Sequence, residues 1–589
     1  MSSLPLGYSI DGEYEKAVEK GFEDFPRAPV DKPFSYGTAG FRMRADLLDY
    51  VMLTVGVLAS LRSRKLMSNT IGIMITASHN PAEDNGVKLV DPSGDMLEET
   101  WEHWATAFAN AWEPAKLKAA YINCIEECKI DQRKEAHVII ARDTRPSGDR
   151  LVKALIAGLE ATGTKYTDYG YATTPQLHYL VRAINTQRQA QPYGEPSEEG
   201  YYKKLGSAFT TVMQYANPNG ALTVDCANGI GAPKLKELIK YLPEDKLQIN
   251  IVNDRIEQAD LLNEKCGADF VKTQQRGPQD FVQTAKPGER WCSFDGDADR
   301  IIYYFNDDEK VFRLLDGDRI ATLAASFIGD LVRKAGLEDE VKLAVVQTAY
   351  ANGASTRYIE QTLKLKVECT ATGVKHLHHV AARYDIGVYF EANGHGTVLF
   401  HPRALKAIRK HEPQSPAQLE ALDTLKALTD LINQTVGDAL SDMLLVEAVL
   451  AHKEWTVKEW NLTYKDLPNK LAKVNVADRS SYRTAHGSAE RQLEHPTGLQ
   501  AKIDDIVKKY QDGRCFVRAS GTEDAVRVYG EAAEIFDVED MVTRVIESIS
   551  IQQMVLVGNT SFRDQRQQEE HEMGLGLERG AQEPPVGNG

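Results

Sequence analysis

Six consecutive residues, DGDADR at 295–300, place Asp295, Asp297 and Asp299 in one short stretch with no base between them. Carboxylates crowded that tightly call for a cation. An all-oxygen set suits Mg²⁺, which takes octahedral oxygen ligands at about 2.0–2.1 Å and keeps room for water or a substrate phosphate. An extended strand would hold alternate α-carbons roughly 6.6 Å apart, so the segment has to curl, and Gly296 is expected to supply the backbone freedom. An EF-hand counted from Asp295 would need Gly at its sixth position and Glu at its twelfth, where this chain has Arg300 and Asn306. A solvated acidic turn is the plainer alternative.

A second segment, TASHNP at 76–81, sets Ser78 just after an apolar run, with His79 and Asn80 beside it and Lys88 a little further on. No GxSxG elbow surrounds the serine, so a hydrolase triad has no support. Taken by itself, a turn serine bonded to its own backbone accounts for the segment. Beside a magnesium loop the same hydroxyl becomes a store for a phosphoryl group: phosphoserine carries roughly −1.5 to −2 charge and three acceptor oxygens, a natural fourth partner for an ion held by three aspartates. Lys88, Arg42 and Arg300 are then available to neutralise charge on the transferring group, or else are ordinary solvated cations.

RASGTEDAVR at 518–527 has the composition of an anion clamp: Arg518 and Arg527 for bidentate contact, Ser520 and Thr522 for the remaining oxygens, and Gly521 for close backbone approach. The alternative is a turn in which Arg527 pairs with Glu523 or Asp524. FEANGHGT at 390–397 offers Glu391, Asn393 and His395 among small residues, a set able to grip sugar hydroxyls or simply to close a turn. Nucleotide motifs fit less well. GIGAPK at 229–234 lacks the third glycine of a dinucleotide fingerprint, and no GxxxxGK[ST] occurs.

The elements that must position these loops read as α/β. Apolar runs at 71–75, 137–141, 221–224, 247–252, 291–294, 343–346, 367–370 and 388–390 are expected strands, most of them running into polar turns, in largely parallel sheets. Asp316 or Asp318 is an expected helix N-cap, and Leu- and Ala-rich helices are expected over roughly 416–452. The polar segment 186–200 reads as a linker. From about 470 the order changes to α+β, with a strand at 471–476, a helix near 499–510 and strands flanking RASGTEDAVR. The expected domains are 1–190, 201–305, 306–455 and 456–556, followed by a disordered tail over 557–589.

Composition excludes several classes. A formal charge of −16 and a pI near 5.5 argue against nonspecific binding to nucleic acid or anionic membrane. Seven cysteines without a CxxC pair suggest neither a disulfide framework nor a zinc site, and a reducing, cytoplasmic setting is expected. The longest apolar stretch, around 51–61, is too short to span a bilayer, and the N-terminus does not read as a signal peptide.

These four segments, in this order, resemble the α-D-phosphohexomutase superfamily: a phosphoserine loop, a DGDxDR metal loop, a Glu-containing sugar loop and a C-terminal phosphate loop. Within it, YGTAGFR at 36–42, TASHNP, FEANGHG and RASGTEDAVR are similar to the branch that handles acetylated hexosamine phosphates. The resemblance implies three related mixed α/β domains around a central cleft plus a smaller C-terminal α+β domain that closes over it. It implies that Ser78 is the phosphorylated nucleophile and a ligand of one Mg²⁺, with Asp295, Asp297 and Asp299 completing the protein set. Substrate contacts carry over to Glu391, Ala392 and Asn393, and phosphate contacts to Arg518, Ala519, Ser520, Gly521, Thr522 and Arg527. Lys88, Arg42 and His395 match positions used for proton transfer or charge stabilisation. Many members have Ser where this chain has Asn393, whose amide suits an N-acetyl group. The implied reaction interconverts N-acetylglucosamine 6-phosphate and 1-phosphate through a glucosamine-type 1,6-bisphosphate, in UDP-N-acetylglucosamine biosynthesis. A phosphatase, a silent sugar-phosphate sensor, and a glucose or mannose phosphate mutase are the competing readings.

Overall fold

In this computed structural model residues 12–218, 220–520 and 524–553 are described. They fall into two units, one of residues up to 347 with 355–368 and 373–465, the other of 348–354, 369–372 and from 466 onward. The first unit contains three sheets. Strands β1 (Phe41–Arg44), β2 (Thr70–Ile75), β3 (Asp84–Val90), β4 (His137–Arg142) and β5 (Lys165–Tyr171) form a sheet in the order β1-β3-β2-β4-β5. Next come β6 (Ala221–Asp225), β7 (Gln248–Val252), β8 (Arg290–Phe294), β9 (Ile301–Asn306) and β10 (Phe312–Leu315), ordered β10-β9-β8-β6-β7. The third sheet is β12-β11-β13-β14, from β11 (Leu343–Thr348), β12 (Lys366–Thr370), β13 (Ile386–Phe390) and β14 (Gly396–Phe400).

One plan recurs in all three. A central strand (β2, β8 or β13) pairs in parallel with an earlier or later strand on one side and antiparallel with the strand that follows it on the other. The sheets are therefore mixed, whereas the strand runs suggested largely parallel ones. Short loops explain the difference: six residues between β8 and β9, or five between β13 and β14, leave room for a hairpin but not for a crossover of a dozen or more. Each of these hairpins carries one of the chemically loaded segments.

Helices cover the sheets and make the central strands apolar on both faces. Ile71, Ile73 and Ile75 of β2 pack with Val51, Val55 and Leu58 of the helix Asp49–Lys65 and with Leu151 and Leu155 of Gly148–Ala161. Each such buried side chain contributes about 1.5–3 kcal/mol. A Cβ on Gly56 would sit 2.5 Å from Leu155 O, and one on Gly158 would sit 2.0 Å from Leu53 O, so only glycine lets these helices cross so closely. The apolar stretch 51–61 is thus a core helix, and among the described residues no helix is long and apolar enough to cross a membrane.

Several local expectations hold. Asp316 caps the helix Gly317–Lys334 by accepting from Asp318 N, and the 416–452 region holds the helices Pro416–Leu431 and Ala439–Lys453. The expected linker is shorter than its composition suggests: its last three residues open the helix Glu198–Met213, and Tyr193 within it bonds Gln434 N.

In the second unit, β15 (Asn469–Asn475), β18 (Arg514–Ala519) and β19 (Ala525–Glu531) form an antiparallel sheet ordered β15-β19-β18, beside the hairpin β16 (Arg483–Thr484) and β17 (Leu493–His495). Val517, Val526 and Val528 pack with Leu499 and Ile503, and with Val538, Met541, Val542 and Val545 of a segment that is helical over 535–553. The strands reach into RASGTEDAVR rather than merely flanking it. The tail 557–589 lies outside the described residues.

Candidate active site

The 295–300 hairpin is closed by its own backbone. Asp295 Oδ1 accepts from Asp299 N at 3.0 Å and Arg300 N at 3.1 Å, and Ala298 N donates to Asp295 O at 3.1 Å. The curl comes from Ala298, whose φ is +58°, and not from Gly296 as the sequence suggests. Gly296 is needed for space: a Cβ there would lie 2.6 Å from Ser78 O and 2.8 Å from Asn263 Nδ2.

The result is a buried cluster in which one carboxylate oxygen from each of Asp295, Asp297 and Asp299 lies within 4.8 Å of the others. Asp297 Oδ1 and Asp299 Oδ1 are buried and have no hydrogen-bond partner among the described residues, which is costly unless a cation supplies the missing contact. Burial and the charges of Asp299 and Asp297 push Asp295 well above the ordinary carboxylate range. Burial opposes ionisation of Asp299 too, but His395, Lys88 and Arg300 together hold it well below that range. Three adjacent carboxylates cannot all ionise unaided, and an oxygen-only cage of this kind fits a hard divalent ion.

Ser78 projects from the 76–83 connection between β2 and β3 in a left-handed conformation, φ +53°. Its Oγ lies 2.6 Å from Asp295 Oδ2 and 3.2 Å from His79 Nδ1. Burial, then the positive charges of Arg300 and Arg42, lower the His79 pKa to about 2, so its ring is neutral beside the serine. Ser78 N donates to Thr76 Oγ1, which in turn donates to the buried Asp143.

The predicted cations converge here. Lys88 Nζ is 3.4 Å from Asp299 Oδ2 and 3.6 Å from Asp297 Oδ2. Arg300 Nε is 3.9 Å from both Asp295 Oδ2 and Asp299 Oδ1, while Arg42 Nη1 donates to Asn80 Oδ1 at 3.5 Å. None of the three is a solvated surface charge. In the 391–395 turn, His395 Nδ1 donates to Asp299 O at 2.7 Å, since a carbonyl only accepts, and its buried Nε2 has no hydrogen-bond partner among the described residues. Glu391 accepts from Asn393 Nδ2 at 3.3 Å, and Asn393 Oδ1 accepts from His395 N, so part of the Asn393 amide is spent on closing its own turn. Ala392 sits in the same turn, and Ile301 N donating to Gly394 O docks that turn on the strand leaving the metal loop.

In the second unit, Arg518 Nε donates to Tyr350 Oη at 3.0 Å and its Nη1 to Glu490 Oε1 at 3.2 Å, while Ser520 Oγ is buried without a hydrogen-bond partner among the described residues. Ala519 ends β18, and Arg527 lies on β19 opposite Arg518. Gly521 and Thr522 lie outside the described residues.

Sequence reasoning missed the residues that hold Ser78 in place. Arg145 is fully buried; its Nη2 donates to Ser78 O at 2.9 Å and Asn80 O at 2.8 Å, its Nη1 to Pro81 O and to Asp84 O, and its Nε to Asp143. Thr174, at the start of the helix Thr174–Thr186, donates to Asp297 Oδ2 at 2.5 Å. The signal for Arg145 was visible as RDTRPSG, a second polar turn at a neighbouring strand end. Thr174 has no comparable signature.

Comparison with known proteins agrees with this geometry. Phosphoacetylglucosamine mutase AMG1 domains II and III match residues 197–302 and 316–455. The phosphoglucomutase/phosphomannomutase alpha/beta/alpha domain I matches 47–116 and 113–191, and the C-terminal domain of that group matches 471–548. The phosphoacetylglucosamine mutase of Candida albicans is 48% identical, covering 91% of this chain and 99% of its own. Among solved structures, Aspergillus fumigatus N-acetylphosphoglucosamine mutase with GlcNAc-6P and magnesium superposes with a TM-score of 0.87 at 57% identity, covering 93% of this chain and 99% of its own. A serine-to-alanine form of that fungal enzyme with glucose 1,6-bisphosphate also gives 0.87 at 57% identity, covering 92% and 99%. With the three aspartates, the serine beside them and relatives of this identity matching almost end to end, the chain belongs to the phosphoacetylglucosamine mutase family.

Proposed function

We propose that this chain interconverts N-acetylglucosamine 6-phosphate and N-acetylglucosamine 1-phosphate by way of phosphorylated Ser78. One observation carries the reading: the Ser78 hydroxyl lies 2.6 Å from Asp295 in a buried cluster of three aspartates 217 residues away in sequence. Asp295, Asp297 and Asp299, with Ser78, would hold one Mg²⁺, which when bound polarises the phosphoryl group and offsets its charge. Everything else is done by the chain's own groups. His395 Nε2 takes the proton of the attacking sugar hydroxyl, the new P–O bond forms on the sugar, and the bond to Ser78 Oγ breaks, leaving a 1,6-bisphosphate. After the sugar turns end for end, Ser78 recovers the other phosphoryl group and the proton returns. Lys88, Arg42 and Arg300 stabilise charge on the transferring oxygens.

Glu391, Ala392 and Asn393 position the sugar, with the free amide hydrogen of Asn393 directed to the N-acetyl group. Arg518 through Thr522, with Arg527, bind the phosphate that is not being transferred. Each loop belongs to one of four domains, 1–190, 201–305, 306–455 and 456–556. The product supplies a uridylyl transfer, placing the chain in UDP-N-acetylglucosamine biosynthesis, and its seven free cysteines fit the cytoplasm.

The test is a single assay with Mg²⁺, a catalytic amount of 1,6-bisphosphate and each sugar 6-phosphate in turn. N-acetylglucosamine 1-phosphate should accumulate faster than the glucose or mannose product, without matching release of inorganic phosphate. Stoichiometric phosphate release, binding without turnover, or failure on the acetylated sugar would reject the reading.

A further inference from the structure

The Ser78 loop has to meet the metal loop in a fixed register, yet the two come from different sheets. Within its own sheet the loop is gripped by Arg145. From the second sheet, beside the Asp295 carboxylate that meets the Ser78 hydroxyl, one side chain takes hold of the loop backbone: Asn263 Nδ2 donates to Ser78 O at 3.0 Å and to Asn80 O at 3.1 Å, the same two carbonyls that Arg145 Nη2 holds. Asn263 is itself anchored. Its N–H donates to Ala227 O at 2.9 Å, in the turn after β6, and its own φ of +58° is one that asparagine tolerates well. The same turn supports the aspartates, because Ile230 N donates to Gly296 O at 3.1 Å and a Cβ on Gly229 would lie 2.4 Å from that carbonyl. The turn at 225–232, DCANGIGA, therefore braces both the aspartate loop and the asparagine that touches the serine loop.

From this arrangement we infer that Asn263 is a positioning residue for phosphoryl transfer: it fixes the strained Ser78 backbone against the aspartate loop and so sets the Ser78 Oγ to Asp295 distance. This rests on the mutase reading above. A left-handed serine is strained and persists only where its surroundings over-determine it. Freed on one side, the peptide units from Ser78 to Asn80 can rotate, and a misplacement of about 1 Å at a reacting centre costs about 100-fold in rate.

The test uses the full-length chain as wild type, Asn263→Gly and Asn263→Asp. Glycine keeps the left-handed backbone and removes the amide. Aspartate keeps both shape and backbone but turns the donor into an anion facing two carbonyls. For each, the unfolding midpoint, kcat and KM for N-acetylglucosamine 6-phosphate, and the rate at which the Ser78 peptide gains one phosphoryl group from glucose 1,6-bisphosphate are measured. We expect midpoints close to wild type, KM within about twofold, and kcat and serine phosphorylation both lower by about 100-fold in Asn263→Gly and at least as low in Asn263→Asp. A kcat and phosphorylation rate within about threefold of wild type, a change confined to KM, or a loss that merely tracks the folded fraction would overturn the inference and leave the mutase reading standing. A wild-type chain that neither isomerises the sugar nor phosphorylates Ser78 would overturn both.

Discussion

The two loops that meet at the site are built in opposite ways. The aspartate loop makes its own turn: Asp295 accepts two amides of its own hairpin and the sharp bend lies at Ala298, with Ile230 N and Thr174 adding contacts from outside. The serine loop supports little of itself. Its strained residue is held by Thr76 and Asp143 below, Arg145 on one side and Asn263 on the other. A loop that must collect like charges leans on fixed dipoles in its own backbone and on the ion we propose for it, whereas a loop that must present one oxygen at one point is located largely by rigid groups outside it.

Substitutions can pull the two apart. Ser78→Ala should produce the largest effect, a loss of about 10⁴-fold or more in kcat, because the covalent carrier is gone while the metal loop stays whole. Binding of Mn²⁺, followed by electron paramagnetic resonance, should persist in that variant; restored turnover would mean another residue carries the phosphoryl group. Asp297→Asn attacks the other loop. It removes one charge from the cage, and we expect about a 10³-fold fall in kcat with Mn²⁺ affinity weakened in parallel. Unchanged Mn²⁺ affinity would show that the cage is not the metal site.

Arg145→Ala should separate the loops the other way. It leaves Asp143 buried without its charged partner, at a cost of about 3–5 kcal/mol in stability, measured by urea unfolding. In the fraction that stays folded, turnover should fall about 100-fold while Mn²⁺ affinity is retained, and loss of Mn²⁺ binding would deny the metal loop its independence.

The smallest effect concerns pH. His178 lies buried in the helix that begins at Thr174, its Nδ1 2.6 Å from Gly94 O, and burial lowers its pKa from 6.5 to about 4. It is a base depressed by folding, so the unfolded chain binds the extra proton between those values and stability falls as the pH drops through them. At pH 5 the loss is about 2 kcal/mol relative to pH 8. Comparing urea midpoints of wild type and His178→Asn should show a shallower acid limb in the variant, and parallel limbs would contradict the assignment.

The same contrast explains what could be read in advance. The aspartate loop was legible because its carboxylates and the turn that gathers them occupy six adjacent residues. The strands under both loops were legible as apolar runs. The antiparallel partners β1 and β3 were harder, since Asp84–Val90 and Phe41–Arg44 carry residues such as Lys88 and Arg42 in place of a clean apolar pattern. Asn263 could not be found by motif at all: it sits in a polar stretch after β7, and only the fold carries its amide to Ser78. Gly296 shows the opposite error, a residue read correctly as essential to the turn but for backbone freedom, when what it provides is room for Ser78.

The central claim is that the phosphoryl group rides on Ser78. Peptide mapping by mass spectrometry after mixing the wild-type chain with Mg²⁺ and glucose 1,6-bisphosphate, followed by a chase with N-acetylglucosamine 6-phosphate, tests it directly. We predict one phosphoryl group per chain, confined to the peptide containing Ser78 and passed to the sugar during the chase. A phosphoryl group on another residue, or one on Ser78 that leaves only to water, would contradict it.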